Sequence, residues 1–166
     1  MLQEQEDKTH VTPKWKWSPA VSYRWTLLPL RLVIGFGFLL HGLAKWNRGP
    51  AKFAALLQHI HTPYPLATAW MVTGLEIIGG AMFIVGLLAA VLSIPLAISM
   101  LVAMFTIHIH YGFSAVNTVG LTSAGPVFGP PGYEINLLYI AGLIALALSG
   151  PTALSVDGLI FHRKKT

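Results

Sequence analysis

The chain has 166 residues, of which 54% are hydrophobic and only 10% charged, with a mean hydropathy of +0.63. Soluble domains carry about 25% charged residues, so the composition excludes an ordinary water-soluble fold and reads as an integral membrane protein. Cysteine is absent, which removes dithiol chemistry, thiolate metal sites and disulfides together. The net charge of +5 does not point to nucleic acid, because the lysines and arginines sit in the tails, one loop and one apolar stretch.

Residues 1 to 25 are polar and mixed in charge, without the short apolar core and cleavage site of a signal peptide, and so are expected to stay attached. Trp15, Trp17, Tyr23 and Trp25 alternate with Lys14, Lys16 and Arg24, the pattern of an aromatic and basic anchor at the headgroups. For residues 1 to 12 a disordered tail is the equal alternative.

Four segments approach the roughly 20 residues needed to span about 30 Å of hydrocarbon: Thr26 to Trp46, Leu66 to Leu88, Ala90 to His110 and Tyr133 to Ser149. The expected fold is an all-α, four-span membrane bundle over residues 26 to 160, followed by a basic tail over 161 to 166. The second and third spans almost touch in sequence and predict a tight antiparallel hairpin. Between the first two spans, Phe53, Leu56, Leu57 and Ile60 recur at helical spacing and predict an amphipathic surface helix closed by Pro63 and Pro65. The loop from Gly112 to Gly132 is uncharged and contains GPVFGPPG, which breaks helices and is expected to cap the end of the bundle. Glycines at 35, 37 and 42 and at 74, 79, 80 and 86 predict close helix approach. An even number of spans puts both termini on one side, and the basic residues gathered there (Lys8, Lys14, Lys16, Arg24, Arg163, Lys164, Lys165) make that side cytoplasmic.

The stretch RLVIGFGFLLHGLAK, residues 31 to 45, places three basic groups in an apolar helix. His41 and Lys45 are one turn apart, and Arg31 lies about 40° around the helix from Lys45. Ionisable groups in a membrane span cost several kcal/mol unless partnered, which makes them functional candidates. Counting from the span ends puts His41, Lys45, His108, His110, Glu134 and Asn136 at one outer level. Glu76 falls about 15 Å deeper, where Arg31 is expected to pair with it as a structural ion pair. His108 and His110 point about 200° apart, and His108 is taken as the inward one.

Three uses of the cluster stay open. It can be a polar network that fixes helix register. It can be a quinone site in which His41, Lys45, His108 and Asn136 bind the carbonyls while His41, Glu134 and Glu76 handle protons. Haem ligation by His41 and His108 is the weaker choice, since a lysine and an arginine on the same face suit carbonyl or anion contact better. His59 and His61 read as solvated loop residues, and no metal site is expected. A transporter is disfavoured because the chain shows no inverted repeat and no broken span.

The ordered set RLVIGFGFLLHGLAKW, GLEIIGGAMFIVGLL, MLVAMFTIHIHYGF and GYEINLLYIAGLIALALSGPTALSVD resembles the DoxX family of small bacterial and archaeal four-helix membrane proteins, over about residues 26 to 160. Carried onto this chain, the family's polar positions fall on Arg31, His41, Gly42, Lys45, Glu76, Gly79, His108, Gly112, Glu134 and Asp157. The ending differs, with Thr152 where the family has a second glycine, and the loop after Gly112 is longer and richer in proline. The resemblance implies a cytoplasmic-membrane subunit of a redox complex linked to quinone reduction, with other protein subunits, and a homo-oligomer is compatible with it. A non-catalytic membrane anchor is the alternative.

Overall fold

The computed structural model describes residues 19 to 162, with side chains from 23 to 160. The anchor residues Trp15 and Trp17 and the basic tail from Arg163 lie outside the described residues. The chain is mostly helical, running α1 (Pro19–Arg48), α2 (Pro50–His59), α3 (Pro65–Val85), α4 (Ala89–Thr106), a short hairpin β1 (Thr118–Thr122) and β2 (Gly125–Phe128), then α5 (Glu134–Ser149) and α6 (Val156–His162).

Proline and glycine set most of these boundaries. Pro50 and Pro65 occupy first-turn positions of α2 and α3, where a missing N–H costs nothing. Gly49 turns between α1 and α2 at φ +88°. Gly86 closes α3 in the left-handed region at φ +69°, with Gly86 N–H donating to Phe83 O at 3.0 Å and Leu87 N–H to Met82 O at 2.9 Å. These two bonds satisfy carbonyls that the helix end would otherwise leave unpaired. The chain then re-enters a helix at Ala89, so α3 and α4 form the tight hairpin expected from the sequence.

Three helices are long and apolar enough to cross a membrane: Tyr23–Arg48, Pro65–Val85 and Ala89–Thr106. α5 is apolar but shorter, at 16 residues. α1 packs on α3, α3 on α4, α4 on α5 and α5 back on α1. Ile34, Phe38, Phe83, Leu96, Leu143 and Leu146 fill the space between them. The outward faces are apolar as well: Val33, Ile78, Ile94 and Leu138 are all more than 60% exposed. A soluble protein hides such surface, whereas lipid accepts it. Interior and exterior apolarity together describe a multi-pass membrane protein.

Four sequence expectations are corrected. α1 begins at Pro19, so the last part of the 1 to 25 tail is already helical and continuous with the first span. α4 stops at Thr106 instead of reaching His110, because Ile107 leaves helical dihedrals and His108–Tyr111 tightens into a 3₁₀ turn. The uncharged loop does not fold down as a cap. It forms an antiparallel two-stranded ribbon, with Leu121 opposite Pro126, whose strand residues are nearly all exposed. Finally, Leu56 of the amphipathic α2 faces out, while Ala54 and Leu57 seat that helix on Ala69 of α3.

The α1–α3 contact is made at the backbone. A Cβ on Gly42 would lie 2.8 Å from Ile77 N, one on Gly35 3.0 Å from Ile84 N, and one on Gly80 2.8 Å from Gly35 O. Gly74, by contrast, faces open space. We expect Gly80→Ala to lower stability in detergent by about 1–3 kcal/mol through overpacking. Gly74→Ala should be neutral or raise it by a few tenths, as a glycine replaced in a helix interior. Thermal unfolding of the two variants side by side checks the seam.

Candidate functional site

The glycine seam fixes the height of α1 against α3. Gly42 sits beside Ile77 and Glu76, and Gly35 beside Ile84, in antiparallel register. α1 therefore ends about level with residue 72, and the first two turns of α3 rise beyond it, where α2 covers them. In this register the partner of Glu76 is Lys45, whose Nζ donates to both carboxylate oxygens. Glu76 is 2% exposed and the Lys45 side chain 26%, with Nζ also 5.1 Å from the centre of the Phe53 ring. The expected Arg31–Glu76 pair does not form, because Arg31 is fourteen residues, or about 21 Å, further along α1. Depth counting missed this because it treated the span ends as flush.

His41, one turn before Lys45, is exposed and turns to the other neighbour of α1. Its ring stands edge-on to Tyr139 of α5, with centroids 6.5 Å apart. Tyr139 in turn lies over Gly37, where any side chain would collide with its hydroxyl, and meets Phe38 edge-on at 5.3 Å. Sequence reading passed over Tyr139. A tyrosine inside YIAGLIALALSG, opposite a glycine-rich span, was the available signal.

The other candidates hold backbone. His108 is half-buried and its Nδ1 lies 2.9 Å from Pro131 O, while His110 is exposed. Glu134 accepts from Ala115 N–H at 2.8 Å. Asn136, buried, donates to Met100 O at 3.3 Å and approaches Met100 Sδ at 3.8 Å. These bonds pin the two feet of the β-ribbon and the α4–α5 contact. Among the described residues no group of three or more histidine, aspartate or glutamate side chains could hold a metal ion.

Arg31 instead organises the opposite end. Its Nη1 donates to Thr152 Oγ1 at 2.5 Å and Ala153 O at 3.0 Å, and its Nη2 to Leu154 O at 3.0 Å and Ile84 O at 3.2 Å. Ile84 O lies at the end of α3, and the other three acceptors come from a bend whose backbone turns through Gly150 (φ +73°) and Leu154 (φ +49°). About two turns earlier on α1, Arg24 donates to Pro151 O at 3.2 Å, and Arg24 O accepts from Ala153 N–H at 3.0 Å. Asp157 continues the clasp: its carboxylate accepts from Leu88 N–H at 3.0 Å and Ala89 N–H at 3.3 Å, capping α4. Both ends of the described chain thus meet at the α3–α4 turn. A cavity of about 90 Å³ opens there, lined by Arg31, Asp157, Ala89, Ala90, Leu146 and Gly150 among others.

Comparison with known proteins follows the same outline. A family model described as DoxX matches residues 26–109. A Haemophilus influenzae protein named "Uncharacterized protein" is 31% identical over 139 residues, covering 81% of this chain and 83% of its own length. A Bacillus subtilis protein named "Putative oxidoreductase CatD" is 27% identical over 142 residues, covering 84% of this chain and 90% of its own length. No solved structure matches the chain significantly.

Removing one member of a buried ion pair strands the other, at a cost of about 3–5 kcal/mol, whereas removing both can be nearly neutral. Lys45→Met should therefore destabilise strongly, and adding Glu76→Gln in the same chain should restore most of the loss. A double-mutant cycle by thermal unfolding in detergent reads the coupling directly.

Proposed function

The chain belongs to the DoxX family, and from that membership we propose that it serves as a membrane subunit of a redox assembly and receives a quinone head group beside His41. The observation that carries this reading is the pairing of an exposed imidazole with an inward tyrosine on the α1–α5 seam, one helical turn from a buried lysine–glutamate pair. The oxidoreductase name of the Bacillus subtilis relative supports the redox class.

In this reading α1, α3, α4 and α5 all cross the cytoplasmic membrane of a bacterium or archaeon, with α5 the shortest crossing and both termini in the cytoplasm. The contact between Arg24 and residues 151–153 supports an even number of crossings. The basic residues near the termini support their cytoplasmic side. The imidazole of His41 binds a quinone carbonyl and exchanges a proton with it. Tyr139 orients the imidazole and offers an aromatic edge to the head group. Lys45 holds the Glu76 carboxylate, which stores and returns a proton one turn away. A quinone accepts two electrons and two protons, and the electrons come from a bound cofactor or another subunit. Glu134, His108 and Asn136 support the site by holding the ribbon and α5, and do not touch the head group.

A second reading, a non-catalytic anchor, draws on a different observation: Arg31, His108, Glu134 and Asn136 each make hydrogen bonds to backbone that tie separate segments together. The exposed side chain of His41 separates the two. His41→Ala should leave the melting temperature unchanged and weaken quinone binding by the purified protein at least about tenfold, or 1.4 kcal/mol. Equal binding by the variant and the parent chain would leave the anchor as the function.

A further inference from the structure

The β1–β2 ribbon is an arm whose strands pack on each other and make no extensive contact with any helix. Residues 112 to 133 contain no Lys, Arg, His, Asp or Glu, whereas the other loop at this end of the bundle carries Arg48, Lys52, His59 and His61. The strand register sorts the arm into two unlike faces. Leu121 stands opposite Pro126, and Phe128 follows two residues on, so these three side chains share one face. Thr122 stands opposite Gly125 and Gly120 opposite Val127, which gives the other face two glycines, a threonine and a valine. Leu121 is 83% exposed and Phe128 60%. The bulky apolar face is therefore uncovered by the chain itself.

The surroundings of the arm favour lipid over protein as its cover. Its feet are joined by Gly132 N–H to Ser114 O and Glu134 N–H to Phe113 O, both at 2.9 Å, next to the end of α4 and the start of α5. Exposed apolar side chains continue from the lipid-facing side of α4 towards the arm, through Phe105, Ile109, Tyr111, Phe113 and Val116. Neither edge suits a strand from another protein. Pro126 lacks an N–H on β2, and the extra residue of β1 between Thr118 and Gly120 breaks the ladder on the other side. A face of three side chains also falls far short of the roughly 20–30 residues a side in a specific protein interface. Hydrocarbon cannot satisfy the unpaired backbone of the edges, which keeps the strands themselves at the hydrated headgroup level. At about 3.3 Å per residue the five residues of β1 reach about 16 Å, more than one helix diameter of about 10 Å. We infer that the ribbon lies along the bilayer surface at the end of the bundle, with Leu121, Pro126 and Phe128 dipped into the adjoining leaflet and the Thr122 face towards water.

This contact rests on the membrane character of the chain and stands independently of the quinone reading. The chain has no cysteine, so a single introduced cysteine carries a nitroxide label without background. Leu121→Cys, Phe128→Cys and Thr122→Cys are each labelled in the full chain and placed, one copy per disc, in nanodiscs of palmitoyl-oleoyl phosphatidylcholine. Power-saturation spectroscopy then reads collisions with oxygen, which concentrates in lipid, and with a water-soluble nickel chelate. The labels at 121 and 128 should lose nickel collisions and keep oxygen collisions, while the label at 122 stays open to nickel. Adding Leu121→Lys to the Phe128→Cys chain should return the label at 128 to water. Nickel access at 121 and 128 equal to that at 122 overturns the contact. Dipolar coupling between Leu121→Cys labels in liposomes at high lipid excess would put a second copy on this face, and overturns it as well. Each labelled chain should keep the parent's melting temperature, because the arm makes no extensive contact with the helices. If one labelled chain fails to fold, the other label on the apolar face decides the matter alone.

Discussion

The close approach of α1 and α3 through Gly35, Gly42 and Gly80 is the constraint on which the other contacts depend. In lipid there is no hydrophobic gain from bringing two apolar helices together, so association rests on van der Waals fit and polar contacts. Small residues on both sides let the backbones touch, and once they touch the axial offset is fixed to within one residue. From that offset follow the pairing of Lys45 with Glu76, the overhang of α3 that α2 covers, and the position of Arg31 opposite the α3–α4 turn.

The two ends of the molecule solve the same electrostatic problem differently. At the His41 end a lysine meets a carboxylate directly, and the pair is neutral as a unit. At the other end Arg31 is surrounded by carbonyl and hydroxyl oxygens, with Asp157 one layer away capping α4. A guanidinium suits this role because its planar donors can serve several acceptors at once, which an ammonium on a flexible stem does less well. The first arrangement buries a carboxylate against a single lysine. The second ties the C-terminal bend to three helices and leaves a single donor over.

Membership of the DoxX family and the reading of the residues agree on which positions matter, but the geometry redistributes their roles. Of the polar positions carried onto this chain, Arg31, Glu134, His108 and Asp157 hold backbone in place, and Gly42 makes room for Glu76 and Ile77. Only His41 presents a polar ring on the outside of the helices, and its neighbour Tyr139 was not among the expected residues. Polar positions in a membrane bundle thus include many that serve packing, since each unsatisfied backbone group in lipid is itself expensive.

The sequence by itself determined the apolar helices, the tight α3–α4 hairpin, the amphipathic α2 and the identity of the buried ionisable residues. These follow from composition, periodicity and the local chemistry of glycine and proline, all of which act within one turn or one element. What only the tertiary structure decided was who meets whom. Lys45 rather than Arg31 faces Glu76 because the helices are offset along their axes. Arg31 finds three of its four acceptors more than 120 residues away in sequence. The uncharged loop became a ribbon because its backbone, denied a helix, pairs with itself. Offset and long-range closure are properties of surfaces fitted together, and no window along the chain contains both surfaces.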